Sequence, residues 1–250
     1  MKFIYKYKSP NFNYRKKGTF IRLIILHYTA LDNNTKALKH LCDKKNMVSA
    51  HFLINKSGKI YYLVKTSHRA WHAGKSFWKG NLDINSESIG IELDNSGHHN
   101  FFEEYNSKQI NSLIKLIKKL SKKFNINKHS ILGHSDIAPY RKIDPGEKFP
   151  WKKLYKDKLV FIPKKLNKNK VEKIEKELNL KKLKYKKDKV LYLLKNIGYD
   201  VKPASKNIEK FYFLIRAYQS HFRSKKVTGK LDKETYNLMQ FHYNELLTNL

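Results

Sequence analysis

The chain has 250 residues, of which 40% are hydrophobic and 13% aromatic, so it can bury a core and is not disordered throughout. Its 53 lysines and arginines outnumber its 21 aspartates and glutamates, which gives a formal net charge of +32. Only six of the basic residues are arginine, and the lysines are scattered over the whole chain. Because recognition of phosphates and bases favours arginine, a specific nucleic-acid partner is not expected.

The N-terminal residues show no pattern of export or membrane insertion. Residues 1–19 are polar and irregular and lack the apolar core of a secretory signal, so we expect them to form a surface arm. No run of the chain approaches the roughly 20 apolar residues of a membrane span. Cys42 is the one cysteine, so no intramolecular disulfide is expected. The sequence leaves the compartment open.

The first half of the chain predicts several strands with one helix among them. Residues 21–26 form a nearly unbroken apolar run, which is typical of a strand covered on both faces. The spacing of apolar residues predicts a helix over residues 35–44. Residues 49–54 and 60–64 flank a turn that contains Asn and Gly, which is the pattern of a β-hairpin. Residues 88–93 predict another strand.

The second half begins with the most regular helical pattern of the chain. Residues 107–124 place Ile and Leu on one face and lysines on the other, with Ser107 as the predicted N-cap. Residues 130–134 predict a last short strand. This order of elements predicts an α/β fold with a mixed central β-sheet flanked by helices, in a domain of residues 20–155.

The composition changes beyond that domain. Residues 156–187 are lysine-rich and repetitive and predict a linker, with one amphipathic helix at 170–178. Residues 188–250 predict a small all-helical C-terminal domain with turns at Gly198 and Gly229. Its predicted helices cover residues 190–197, 208–222 and 233–247.

Two histidines lie at the ends of predicted strands, and an aspartate follows in a loop. His27 follows the first apolar run, His134 ends the last predicted strand, and Asp144 comes ten residues later, before a Pro-Gly pair. Each residue alone could be an ordinary hydrogen-bonded group. Together, two imidazoles and one carboxylate match the ligands of a catalytic Zn²⁺ site that leaves one position for water. Bound zinc would lower the pKa of that water toward neutrality and polarise a carbonyl.

Two charged side chains near these residues could take part in chemistry. Glu92 lies among Ile and Leu, where an unpaired carboxylate is costly. It is either paired with one of the many lysines or a general base that activates water. Lys142 is either a solvated lysine or a cation that stabilises an oxyanion.

Aromatic residues in residues 71–78 could form a surface for sugars or peptides. Trp71, His72 and Trp78 are the candidates for substrate binding, although core packing explains such side chains equally well. His51, in the predicted hairpin, is expected to be a core or supporting histidine.

Several short segments occur in the order that one enzyme family shows. They are LHYTA (26–30), SAHF (49–52), AWHAG (70–74), SIGIEL (88–93), GHSDIAP (133–139), DPG (144–146) and FPW (149–151). With these segments, residues 20–155 resemble the AmiD/AmpD-type N-acetylmuramoyl-L-alanine amidases. These are zinc hydrolases whose fold is related to that of peptidoglycan recognition proteins.

The resemblance implies a role for each candidate residue. It implies one zinc ion per chain on His27, His134 and Asp144, with Glu92 as the catalytic base and Lys142 as the stabiliser of the transition state. The implied reaction is hydrolysis of the amide between the lactyl group of N-acetylmuramic acid and L-alanine, in peptidoglycan or muropeptides.

The resemblance extends to the substrate groove and the C-terminal region. It implies that Trp71, His72 and Trp78 lie in the groove. Residues 217–222 and 229–235 are similar to a small helical peptidoglycan-binding domain that often accompanies such enzymes. AmiD-type relatives carry a lipid anchor on an N-terminal cysteine, and Cys42 lies too late in the chain for that role.

Two other functions are compatible with parts of this sequence. A non-catalytic peptidoglycan-binding protein is the main alternative, but recognition relatives lose the metal ligands, and all of them are present here. A lysine-rich nucleic-acid binder would show steep salt dependence and no need for zinc. We expect a monomer. The preference between intact wall and anhydro-muropeptides stays open.

Overall fold

The computed structural model describes residues 1–163 and 186–248. Its strands are Phe3–Ile4 (β1), Phe12–Tyr14 (β2), Leu23–Tyr28 (β3), Phe52–Ile54 (β4), Ile60–Tyr62 (β5), His68–Ala70 (β6), Ser88–Leu93 (β7) and Ile131–Gly133 (β8). Six of them form a mixed sheet in the order β1-β5-β4-β7-β3-β8, while β2 and β6 pair separately. Strands β4, β7, β3 and β8 run parallel to one another, whereas β4 is antiparallel to β5.

Helices cover both faces of this sheet. The described helices are Asn34–Cys42 (α1), Ile84–Glu87 (α2), Ser107–Phe124 (α3), His134–Ile137 (α4), Trp151–Lys156 (α5), Lys186–Ile197 (α6), Lys202–Lys206 (α7), Ile208–Phe222 (α8) and Lys233–Leu247 (α9), with 3₁₀ turns at Lys44–Asn46 and Lys128–Ser130. The predicted α/β class with a mixed sheet is confirmed. Among the described helices, none is both long and apolar enough to cross a bilayer.

Strand β3 is the centre of the core because both of its faces are covered. Ile24 and Leu26 belong to the cluster that includes the apolar face of α3. Leu23 and Ile25 belong to the cluster formed with α6, α8 and α9. This two-sided burial explains why the sequence shows an unbroken apolar run instead of alternation.

Most predicted elements are present, with differences at some ends. Helices α3, α8 and α9 and strand β7 have the predicted bounds. The N-cap of α3 is Asn106, not Ser107, since the Asn106 side chain accepts a hydrogen bond from the amide of Lys108. His134 begins α4 instead of extending β8. The helix predicted at 170–178 lies outside the described residues.

Residues 1–19 lie mostly at the surface, as predicted for an arm, but they are not irregular throughout. Strand β1 joins the edge of the main sheet parallel to β5, and β2 pairs antiparallel with β6. Ser9 and Asn11 between them are buried, and the Asn11 amide donates to two backbone carbonyls. Strands of two and three residues are too short to give a periodic signal, so the sequence pattern missed them.

The C-terminal helices are joined to the sheet by a buried carboxylate. Asp136 in α4 is fully buried and accepts hydrogen bonds from the Gly133 amide (2.7 Å), the Tyr199 hydroxyl (2.5 Å) and His221 Nδ1 (2.7 Å). Tyr199 and His221 come from the C-terminal region. They therefore connect that region to the short helix that carries His134.

Tyr199→Phe is expected to lower the free energy of unfolding by about 2 kcal/mol, because it removes a buried hydrogen bond to a carboxylate. Tyr218→Phe is a matched control: this ring is equally buried, but its hydroxyl has no hydrogen-bond partner among the described residues. Urea denaturation of both variants tests the difference. Equal losses in the two variants would show that the bond to Asp136 contributes nothing of its own.

Candidate metal centre

Three potential metal ligands meet at the ends of two adjacent parallel strands. His27 is the fifth residue of β3, and His134 follows β8 directly. Asp144 lies in the loop after α4. The atom pairs His27 Nδ1–His134 Nδ1, His27 Nδ1–Asp144 Oδ2 and His134 Nδ1–Asp144 Oδ2 are separated by 3.0, 3.2 and 3.1 Å. All three side chains are buried, and the predicted ligand set is brought together as a group able to hold a metal ion.

The donor set fits a tetrahedral Zn²⁺ ion. With bonds of about 2.0–2.1 Å, tetrahedral ligand atoms lie roughly 3.4 Å apart, close to the separations of these three atoms. Nitrogen and carboxylate oxygen are ligands that zinc accepts. All three residues also line the cavity described below, so a metal ion held by them would be open to a water molecule or a substrate.

The orientation of His134 leaves a lone pair on Nδ1. Its Nε2 lies 3.1 Å from the Ala73 carbonyl, which can only accept. Arg141 Nη2 lies 3.3 Å from the same nitrogen, but its two hydrogens are taken by the carbonyls of Ala73 and Lys75. Nε2 of His134 therefore carries the proton, and Nδ1 is free to bind a cation.

The surroundings of His27 and Asp144 favour the protonation states in which these side chains can bind a metal ion. Burial and the neighbouring His134 lower the pKa of His27 to about 4, so its imidazole is neutral at pH 7. Burial alone would raise the pKa of Asp144, but the imidazoles of His134 and His27 outweigh it and hold that pKa well below its usual range. A neutral imidazole and an ionised carboxylate are the forms that metals bind.

Glu92 lies beside His27 on the neighbouring strand. The two residues are register partners in β3 and β7, so their side chains point to the same face of the sheet. Burial and then Asp144 raise the pKa of Glu92 well above its usual value, while Lys142 lowers it. Its Oε2 has no hydrogen-bond partner among the described residues. The alternative of a lysine salt bridge is therefore not seen in the described part of the chain.

A cavity of about 190 Å³ opens over the three ligands. Glu92 and Lys142 both line it, as do Trp71 and His72. Residues that sequence reasoning did not select also form its walls. They include Tyr28 at the end of β3, Thr29, Ala30 and Leu31 directly after it, and Ala37, His40 and Leu41 of α1. They carry no chemical signature in the sequence, and only the fold places them there.

The three aromatic candidates have different environments. Trp71 is half-buried at the cavity wall, and its indole nitrogen donates to Asn13. His72 is buried behind His27. Trp78 is only 5% exposed and packs edge-on against Tyr199 in the core, away from this cavity. The expectation of a groove position for Trp78 therefore does not fit the structure, because its ring is covered by the C-terminal region.

His51 is a supporting core histidine, one of the roles expected for it. Its ring is fully buried, and Nδ1 accepts a hydrogen bond from the Gly90 amide at 3.0 Å. Nε2 lies 3.1 Å from the His68 carbonyl, so it carries the ring proton. His51 thereby links β4 to the adjacent strand β7 without reaching the ligands.

Known proteins with related sequences are amidases of N-acetylmuramoyl-L-alanine compounds. A family model described as N-acetylmuramoyl-L-alanine amidase matches residues 17–147. The chain is 35% identical over 227 residues to the N-acetylmuramoyl-L-alanine amidase AmiD of Escherichia coli, covering 86% of this chain and 79% of that protein. It is also 35% identical over 164 residues to the 1,6-anhydro-N-acetylmuramyl-L-alanine amidase AmpD of Haemophilus influenzae, covering 58% and 87%.

Solved structures of two relatives have a fold similar to that of this chain. E. coli AmiD in complex with the substrate anhydro-N-acetylmuramic acid-L-Ala-D-gamma-Glu-L-Lys superposes with a TM-score of 0.77 at 31% identity, covering 92% of both chains. AmpDh3 of Pseudomonas aeruginosa in complex with anhydromuramic pentapeptide superposes with a TM-score of 0.75 at 32% identity. That match covers 91% of this chain and 94% of the other.

Proposed function

Because the chain belongs to the N-acetylmuramoyl-L-alanine amidase family, we propose that it hydrolyses the amide between N-acetylmuramic acid and L-alanine in peptidoglycan or muropeptides. One zinc ion per chain would be held by His27, His134 and Asp144. The observation that carries the proposal is the cavity in which these three ligands adjoin Glu92 and Lys142. Two relatives of similar fold were solved with anhydromuramic peptides.

Each polar residue of the cavity has a distinct part in this reaction. Zinc bound in such a site supplies a Lewis acid that polarises the scissile carbonyl and acidifies water. Glu92 takes the proton from the attacking water and delivers it to the leaving nitrogen of L-alanine. Lys142 stabilises the negative charge that develops on the carbonyl oxygen. Trp71 offers an aromatic wall to the substrate.

We further propose that residues 188–250 bind cell-wall polymer, as their resemblance to a peptidoglycan-binding domain suggests. Such binding would raise the effective concentration of substrate at the cavity. The helices of this region pack on the sheet through a shared core. Wall binding and amide hydrolysis would therefore take place on the same packed unit. The predicted linker of residues 156–187 is packed against the protein at its start, since Val160 and Phe161 are buried.

The test is mass spectrometry of defined muropeptides incubated with the purified chain, with and without a zinc chelator. The expected result is chelator-sensitive release of a peptide with a free L-alanine amino group. Restoration of the reaction by added Zn²⁺ is the control for nonspecific effects of the chelator. Intact muropeptides in a sample shown by metal analysis to contain zinc would contradict the proposal and favour a binding protein.

Lys142→Ala is expected to lower turnover by about 10²–10³-fold, the range for loss of one group that stabilises an oxyanion. Zinc content should not change, because Lys142 is not a ligand. Lys115→Ala is the matched control, since Lys115 is exposed on α3 at the opposite face of the sheet. Turnover of Lys142→Ala within a few fold of the unmodified chain would identify Lys142 as a solvated lysine.

A further inference from the structure

We infer that His72 is a positioning residue that fixes the protonation site of His27, and that it does not serve as a substrate contact. The inference rests on the proposed function in one respect: it takes the group held by His27 to be a metal ion. It reassigns a residue that the resemblance placed in the substrate groove.

The position of His72 depends on a glycine in the neighbouring strand. Ser88, Gly90 and Glu92 are alternate residues of β7 and face the same side of the sheet. The His72 ring lies over Gly90, where a Cβ atom would come within 2.3 Å of the ring Cγ. No real Cβ contact is that short, so only glycine at position 90 lets His72 reach the side chain of His27.

Both ring nitrogens of His72 have partners inside the protein. His72 Nδ1 lies 3.1 Å from His27 Nε2, and His72 Nε2 lies 3.0 Å from the Ser88 hydroxyl. The backbone amide of His72 donates to the Asn85 side chain at 3.0 Å, which holds the loop in place. Neither ring nitrogen is left for a substrate, although the ring forms part of the cavity wall.

The direction of this hydrogen-bond chain is fixed at its far end. The Ser88 hydroxyl lies 2.6 Å from the Ile84 carbonyl, which can only accept, so Ser88 donates there. Ser88 Oγ must then accept from His72 Nε2. A neutral His72 with its proton on Nε2 has a lone pair on Nδ1, which accepts from His27 Nε2.

The consequence for His27 is a lone pair on Nδ1, the atom that faces His134 and Asp144. In the opposite tautomer, the lone pair of His27 Nε2 would face that of His72 Nδ1, and a proton would occupy the space between the three ligand atoms. The chain of hydrogen bonds from Ile84 to His27 disfavours that arrangement, because it would set two lone pairs against each other across 3.1 Å. These hydrogen bonds place the ring proton of His27 on Nε2, as the Ala73 carbonyl places that of His134 on Nε2.

The direct test is long-range ¹H–¹⁵N NMR of histidine-labelled protein without metal, which distinguishes Nδ1–H from Nε2–H tautomers. His27 is expected to carry its proton on Nε2 in the unmodified chain, and to populate the Nδ1–H form in His72→Phe. A His27 that carries its proton on Nδ1 in the unmodified chain would overturn the inference. This measurement needs neither zinc nor amidase activity, so it stands apart from the test of the proposed function.

The second test is zinc affinity, measured by competition with a chromogenic chelator. His72→Phe is expected to bind Zn²⁺ about 10–100-fold more weakly, the usual effect of losing a partner of a metal ligand. His72→Asn should recover part of this loss, because its side-chain oxygen can accept near the position of Nδ1. Unchanged zinc affinity in His72→Phe would overturn the inference.

His242→Phe controls for loss of a buried imidazole as such. His242 is buried between the rings of Phe161 and Phe222, far along the chain from the ligands, and a phenyl ring suits that site. Its zinc affinity should stay within about threefold of the unmodified chain. At saturating zinc, a substrate contact would appear as a raised KM in His72→Phe, whereas a positioning residue leaves KM nearly unchanged. A raised KM with unchanged zinc affinity would return His72 to the substrate groove.

Discussion

Glu92→Gln is expected to lower the turnover of muropeptide hydrolysis by about 10²–10⁴-fold, the contribution of a positioned general base. Glutamine has nearly the shape of glutamate but cannot take a proton from water. Zinc content should be unchanged, because Glu92 is not among the three ligand atoms. Steady-state kinetics with a defined muropeptide, together with metal analysis of the same sample, tests both statements.

The position of Glu92 is the reason for expecting so large an effect. It lies beside His27 on the adjacent strand, and its buried Oε2 has no hydrogen-bond partner among the described residues. A buried carboxylate oxygen without a hydrogen-bond partner lowers the stability of the fold, and catalytic groups commonly have such unfavourable surroundings. Stability should therefore not fall in Glu92→Gln, and we expect it to rise.

Glu87→Gln provides the control for Glu92→Gln. Glu87 directly precedes β7, at the end opposite Glu92, and pairs with Arg22. Its loss should leave turnover within a few fold of the unmodified chain. Near-normal turnover in Glu92→Gln would remove Glu92 from the mechanism and point to another proton acceptor in the cavity.

The pH dependence of turnover should reflect the same carboxylate. Burial and Asp144 raise the pKa of Glu92 above its usual value. A base whose pKa is raised becomes protonated, and therefore inactive, at a higher pH than an ordinary glutamate. Turnover is expected to fall on the acidic side as Glu92 becomes protonated, and Lys142→Ala should move this limb to higher pH because Lys142 lowers the pKa of Glu92.

The sequence predicted the elements that have a strong local period. Helices α3, α8 and α9 were found to the residue because each is long, amphipathic and bounded by capping residues. The three candidate metal ligands were singled out because two histidines at the ends of predicted strands and a nearby aspartate have a recognisable chemistry. The strand β3 runs to Tyr28, so His27 lies inside the strand and its backbone is fixed on both sides.

The sequence could not predict contacts between distant residues that lack such a period. The pairing of β1 and β2 with β5 and β6 depends on partners about 55 to 60 residues away. Trp78 became a core residue only because the C-terminal region covers it with Tyr199. His72 looked like a substrate residue until the fold placed it over Gly90. In each case the tertiary neighbour decides the role, and the local sequence does not name that neighbour.

Asp144→Ala is expected to abolish zinc binding and hydrolysis together. It removes the single anionic ligand, so two neutral imidazoles would have to hold a dication without charge compensation. We expect zinc affinity to fall by more than about 10²-fold, beyond the effect of losing a supporting partner such as His72. Metal analysis after dialysis and the muropeptide assay should give the same ranking of variants.

Thermal unfolding gives an independent measurement of the same loss. A ligand that binds only the folded state stabilises it by RT ln(1 + [L]/Kd), so added Zn²⁺ should raise the Tm of the unmodified chain. It should not raise the Tm of Asp144→Ala. Asp157→Ala, whose carboxylate pairs with Lys118 near the surface, is the control and should respond to zinc like the unmodified chain. Stoichiometric zinc in Asp144→Ala would show that Asp144 is not a ligand, and His27 and His134 would then need a different third partner.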